Sequence, residues 1–173
     1  MVLLKFFEGV ITIKVLDIYK EIIIDSNSRF KSWEHCYLFF KENRKKDVPV
    51  SDFSLHLFAY LASWGMLRGS SFLLQKDYLF HNDIVKEILD EKYDSLLEVN
   101  PLSLDSTKLD LLFSLKSTIK ELYFKNTKIY KGQPNGGKSA TDTLITKIIL
   151  GTLGCVPAYD RYFIDGLKEE GWC

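Results

Sequence analysis

The spacing of apolar side chains constrains this chain more than any other feature, and it points to helices. Leu109, Leu112, Leu115, Ile119 and Leu122 recur at intervals of three and four residues, the repeat of one helix face. Ile11, Val15, Ile18 and Ile22 do the same and predict a first helix over about residues 10 to 24, although their β-branched content leaves a strand reading open there. Ser32 reads as the N-cap of a helix that carries Trp33, Cys36, Tyr37 and Phe40 inward and ends in the polar run 41–46. After Pro49, Ser51 or Asp52 can cap a long apolar helix through Phe53, Leu57, Tyr60, Leu61 and Trp64, stopped near Gly65 or Gly69. Being apolar nearly all round, it is expected to be the central, most buried helix. Residues 70–75 read as a short helix. Asn82 reads as the cap of one bearing Ile84, Ile88 and Leu89, Pro101 marks a break, and Ser106 opens the Leu109–Leu122 stripe. The glycine-rich loop 131–139 precedes a helix from about Thr141 to Leu153, and Pro157 suits the first turn of a last helix through Tyr162 and Phe163. No fixed-period repeat and no alternating pattern long enough for a parallel sheet is present. The expectation is an all-α chain, an orthogonal bundle of seven or eight helices forming one domain over residues 1–173.

Composition narrows the class. Hydrophobic residues make up 46% of 173, enough to bury a core, which excludes a disordered polymer. Lys plus Arg total 23 and Asp plus Glu total 23, so overall charge gives no reason to expect a protein that coats nucleic acid or anionic membrane. The charge is unevenly placed, however. Between Lys116 and Lys147 stand Lys120, Lys125, Lys128, Lys131 and Lys138 against only Glu121 and Asp142, while residues 77–110 are locally acidic. Two solvated helix faces are the plain reading of such runs. Cys36, Cys155 and Cys173 form no Cys-x-x-Cys pair, and their odd number fits neither a disulfide framework nor a cysteine-rich zinc site. The start of the chain lacks the pattern of an export signal, and the longest apolar stretch, 57–67, is well short of the roughly 20 residues that span a bilayer. A cytoplasmic protein without a membrane partner is expected. The ending Trp172-Cys173 points to a chain cut short or to an interface there.

Gly132-Gln133-Pro134-Asn135-Gly136-Gly137-Lys138-Ser139 matches the phosphate-loop pattern Gly-x4-Gly-Lys-Ser. That motif also needs a hydrophobic strand before it and a second strand ending in a metal-binding carboxylate after it. Only Ile129 and Tyr130 precede, so a glycine-rich turn with an exposed lysine is the favoured reading. A turn at a helix start can still offer unpaired N–H groups to a phosphate of DNA or RNA, which makes Gly136, Gly137, Lys138 and Ser139 a candidate phosphate site.

Two resemblances follow from these residues. Gly136-Gly137-Lys138-Ser139-Ala140, an apolar helix and Val156-Pro157-Ala158-Tyr159-Asp160-Arg161 are similar in order to the hairpin, helix and proline-flanked aspartate of helix-hairpin-helix DNA glycosylases, over about a fifth of the chain. This resemblance implies that Asp160 is the catalytic carboxylate. The family's apolar-Pro-Gly-apolar-Gly hairpin is absent and the spacing to Asp160 is longer, so no catalytic lysine carries over. The plain alternative is a carboxylate at a helix N-terminus, favoured by the dipole or paired with Arg161. The segments 32–37 (Ser-Trp-Glu-His-Cys-Tyr), 62–71 (Ala-Ser-Trp-Gly-Met-Leu-Arg-Gly-Ser-Ser) and Thr143-Leu144-Ile145-Thr146-Lys147 through Pro157–Phe163 together resemble a family of uncharacterised bacterial proteins, over most of the chain. That family brings no activity with it.

Three functions remain. The leading one is binding of a phosphate-bearing partner, nucleic acid, through the Gly136–Ser139 turn. The second is a small enzyme in which Asp160, Arg68 and a histidine, His35 or His56, converge on an aromatic pocket, with Arg68 anchoring an anion. Core aromatics with a satisfied histidine are the plain alternative to that pocket. The third is a protein interaction module. Cys155 as a nucleophile has no activating neighbour in sequence, and His35, His56 and His81 share no metal-ligand spacing. No cofactor and no oligomeric state is indicated.

Overall fold

The computed structural model describes residues 17, 19, 20, 24–97, 99, 104–130, 133–134, 137–169 and 171. The chain is all-α, as the periodicity requires. Its described α-helices are α1 (Lys31–Asn43), α2 (Val50–Ser63), α3 (Asn82–Ile88), α4 (Ser106–Asn126), α5 (Asp142–Leu153) and α6 (Arg161–Glu169). Short 3-10 helices at Phe72–Gln75, Tyr78–His81 and Glu91–Leu96 join them. Between α4 and α5 lies a two-residue antiparallel ladder, β1 (Ile129–Tyr130) with β2 (Gln133–Pro134), in the register Ile129 to Pro134 and Tyr130 to Gln133. Most of the predicted first helix lies outside the described residues, although Asp17, Tyr19, Lys20 and Ile24 are helical. Pro101, Trp172 and Cys173 lie outside them too. Among the described residues, no helix is long and apolar enough to cross a membrane.

Local chemistry sets several boundaries. The Thr141 side chain accepts the Leu144 N–H at the start of α5, and Gly154, at φ +68, ends that helix in the left-handed conformation. Gly65, at φ +72, ends α2 in the same way, where Met66 N–H bonds the Leu61 carbonyl. Asp105, one residue before the expected Ser106, caps α4 by accepting the Lys108 N–H at 2.8 Å.

Other expected caps are corrected. Ser32 is already inside α1, because the turn over residues 28–31 starts the helix earlier, and its oxygen is engaged by Ser63 and Trp64. Neither Ser51 nor Asp52 caps α2, which begins at Val50 after Pro49. Asn82 is the first residue of α3 and turns its Oδ1 to the Ser54 hydroxyl at 2.7 Å. Pro157 stands four residues before α6, in a loop.

The most buried helix is α5, not α2. It encloses Leu144, Ile145, Lys147, Ile148, Ile149, Gly151, Thr152 and Leu153 between α1, α2 and α4, whereas α2 leaves Leu55 half exposed. Gly151 permits the close approach: a Cβ there would lie 2.5 Å from the Tyr60 ring of α2. Each fully buried Leu or Ile stabilises the fold by roughly 1.5–3 kcal/mol, so α5 is where the core gains most per residue.

Candidate functional site

Near the end of α4, Lys120 and Phe124 fall four residues apart on one side of the helix, with Lys125 beside Phe124, and Lys128 follows two residues beyond the last helical residue, Asn126. The Thr127 hydroxyl fastens the following chain to this end: it bonds the Tyr123 carbonyl at 2.8 Å and accepts the Lys138 N–H at 2.6 Å. Gly137, at φ +72, packs against the Phe124 ring, where an added Cβ would come within 2.6 Å of Cε2. The result is a groove of about 620 Å³ lined by Lys120, Lys125, Lys128, Glu121, Phe124 and Ser139. Phe124 is 40% exposed, and the Lys128 ammonium sits 5.1 Å from its ring centroid, within cation–π range.

The expected phosphate turn differs in detail. Lys138 and Ser139 are exposed, but the Lys138 N–H is taken by Thr127, and α5 begins only at Asp142. The turn is therefore bound to the end of α4 rather than opening α5. Gly136 lies outside the described residues, as do Gly132 and Asn135.

A second constellation gathers the segments 32–37, 62–71 and 143–163. Trp64, which closes α2, donates its indole N–H to the Ser32 hydroxyl at 3.1 Å and makes edge contacts with Phe30 and Tyr60, each 5.8 Å between centroids. Lys147 of α5 reaches into this cluster. Its Nζ lies 3.5 Å from the Trp64 carbonyl, 5.3 Å from the Trp64 ring centroid and 3.6 Å from Asp160 Oδ2. The Lys147 side chain is 6% exposed and that of Asp160 21%. Asp160 has two tasks, since its Oδ1 also accepts the Phe163 N–H at 3.1 Å at the head of α6. Burial lowers the Lys147 pKa from its ordinary value; Asp160 opposes the shift, and Arg68 and Arg29 add to it. Arg68 is exposed, and its guanidinium covers Gly65. The Tyr60 hydroxyl is buried without a hydrogen-bond partner among the described residues.

The structure thus brings Asp160 and Arg68 to one cluster and leaves the histidines out of it. His35 is exposed on α1. His56 stacks on Phe39 with ring centroids 3.7 Å apart, and burial lowers its pKa. His81 is enclosed against the Tyr123 hydroxyl. Burial pushes the Cys155 thiol up to about 12, which disfavours the thiolate a nucleophile needs. Among the described residues, no group of three His, Cys, Asp or Glu side chains is placed to hold a metal ion.

Lys147 closes the basic run 116–147, which reads as a solvated face, yet it is buried. What sets it apart in the sequence is its place among apolar neighbours in Leu144-Ile145-Thr146-Lys147-Ile148-Ile149-Leu150. Comparison with protein-family models, with curated proteins and with solved structures finds no match for this chain.

Proposed function

We propose that the chain binds nucleic acid, through the groove of Lys120, Lys125, Lys128 and Phe124 with Lys138 beside it. The observation that supports this reading is the pairing of three lysines with one exposed aromatic ring on a single groove. Lysine ammonium groups neutralise backbone phosphates, and an exposed ring offers a face on which an unpaired base can stack. The locally basic run of the sequence thus has a spatial focus, although the chain as a whole is neutral. The resemblance to helix-hairpin-helix DNA glycosylases falls partly on the same turn.

Fluorescence anisotropy of a labelled single-stranded oligonucleotide tests the reading. With three phosphates neutralised, affinity is expected to fall roughly twenty-fold between about 50 and about 200 mM salt. The double substitution Lys125→Glu with Lys128→Glu should abolish most of the binding and flatten that dependence. Phe124→Ala should weaken binding of the oligonucleotide but leave binding of heparin, a polyanion without bases, unchanged. Absence of binding at low salt refutes the proposal.

A further inference from the structure

The groove at the end of α4 holds one group that phosphate binding does not explain. Of the two acids in the basic run 116–147, Asp142 lies outside the groove and is paired with Lys116 at 3.0 Å. Glu121 lines the groove itself, is exposed, and forms no hydrogen bond or ion pair among the described residues. Lys125 stands four residues on, the spacing that commonly pairs a glutamate with a lysine on a helix, but the two are not paired here. A carboxylate facing a polyanion repels its phosphates, so Glu121 weakens binding unless it meets a donor. It falls three residues before Phe124, which sets both on one side of α4 and puts the edge of a base lying on the ring within reach of the carboxylate. Thr118 and Ser139 also line the groove, and the Thr118 hydroxyl is already donated to the Ser114 carbonyl at 3.0 Å. Among the described residues of this wall, Glu121 is the one acceptor that carries charge.

Resting on the nucleic-acid reading above, we infer that the groove selects unpaired guanine in a single strand and that Glu121 is the residue that reads the base. Guanine is the standard base whose Watson–Crick edge sets two donors side by side, N1–H and one N2–H. These match the two oxygens of a carboxylate, one donor to each. Adenine and cytosine set an amino donor beside a ring nitrogen that accepts, and thymine and uracil flank their N3–H with two carbonyl oxygens. Those acceptors face the negative oxygens of Glu121 and are repelled. Lysine contacts to phosphate fix the position of a strand without reading its sequence, so base choice falls to the remaining groups of the groove. The edge that Glu121 reads is free only in an unpaired base, because cytosine occupies it in a duplex. Preference for single strands over duplex follows from the same contact.

Binding of the full chain to short thymine strands that carry a single central guanine, inosine, adenine or cytosine, or thymine throughout, tests the inference; one guanine per strand prevents self-association. The guanine strand should bind roughly fivefold tighter than the all-thymine strand, the low end for a bidentate contact to a base edge. Inosine, which keeps N1–H and lacks the N2 amino group, should fall between them. Annealing the complementary strand should remove the preference. Glu121 is exposed, so Glu121→Gln keeps the fold. It should erase the guanine preference and at the same time tighten binding of the all-thymine strand, because a repelling charge leaves the groove. A purely structural role would not move the two strands in that way. Equal binding of the guanine and thymine strands by the native chain, or a guanine preference that survives in Glu121→Gln, overturns the inference and leaves the nucleic-acid reading standing. Absence of binding to every strand at low salt removes both. Displacement of the guanine strand by an equal concentration of guanosine monophosphate overturns the assignment to a strand.

Discussion

His81 and Lys147 are both basic side chains enclosed by the core, yet the fold treats them in opposite ways. His81 has no exposed surface; its Nδ1 lies 2.7 Å from the Tyr123 hydroxyl, and its Nε2 has no partner among the described residues. Burial lowers its pKa to about 4, with Asp77 opposing the shift only from a distance. Lys147 has an acidic partner at 3.6 Å, and that partner is partly open to solvent. Burial alone produces a neutral, inert group. Burial beside a counter-charge with a solvent-facing side produces a group that can gain and lose a proton, which is what chemistry requires.

The largest expected effect tests the His81 half of this contrast. The unfolded chain protonates this imidazole near its ordinary value of 6.5, the folded chain only near 4. Between those values the unfolded state binds more protons, so the contribution is complete above about pH 6.5 and is lost as pH falls toward 4, by about 3 kcal/mol. Urea midpoints measured across that range should fall steeply for the native sequence and much less for His81→Gln. His56, whose pKa is also lowered by burial, contributes with the same sign. Equal losses in both chains would place the origin elsewhere.

A smaller effect is expected at Asp160. Asp160→Ala leaves Lys147 without its counter-charge and α6 without its first side-chain acceptor; because the carboxylate is a fifth exposed, the cost should be about 2 kcal/mol. Asp160→Asn keeps an acceptor for the Phe163 N–H and should recover about 1 kcal/mol of that loss, readable from the same urea curves. The smallest effect sharpens the contrast most. Lys147→Met removes the desolvation cost of a buried ammonium but leaves Asp160 without its counter-charge; because that carboxylate is partly open to water the two effects oppose closely, and the net shift should be less than about 1 kcal/mol in either direction. A loss as large as the His81 acid effect would make Lys147 a structural residue.

Much of the helical framework was legible. Thr141, Gly154 and Gly65 act within a turn of their own positions, and the stripe from Leu109 to Leu122 needed only local spacing, so both could be read in advance. Ser32 and Asn82 could not be, because each hydroxyl or amide has a choice between a nearby backbone N–H and a distant side chain. Here Trp64, Ser63 and Ser54 won that competition. The candidate site was legible only in part. Asp160 and Arg68 do share a cluster, but the expected histidine is replaced by Lys147, and the phosphate turn gives its Lys138 N–H to Thr127.

The amino-acid order by itself determined that the chain would be helical, because a 3.6-residue repeat and its caps act among neighbours a few positions apart. Tertiary structure alone decided that α5 would lie deepest, that Phe124 would wall a lysine groove, and that Lys147 would meet Asp160 under Trp64. Burial and electrostatic environment are sums over residues far apart in sequence, and these do not exist until the helices have packed.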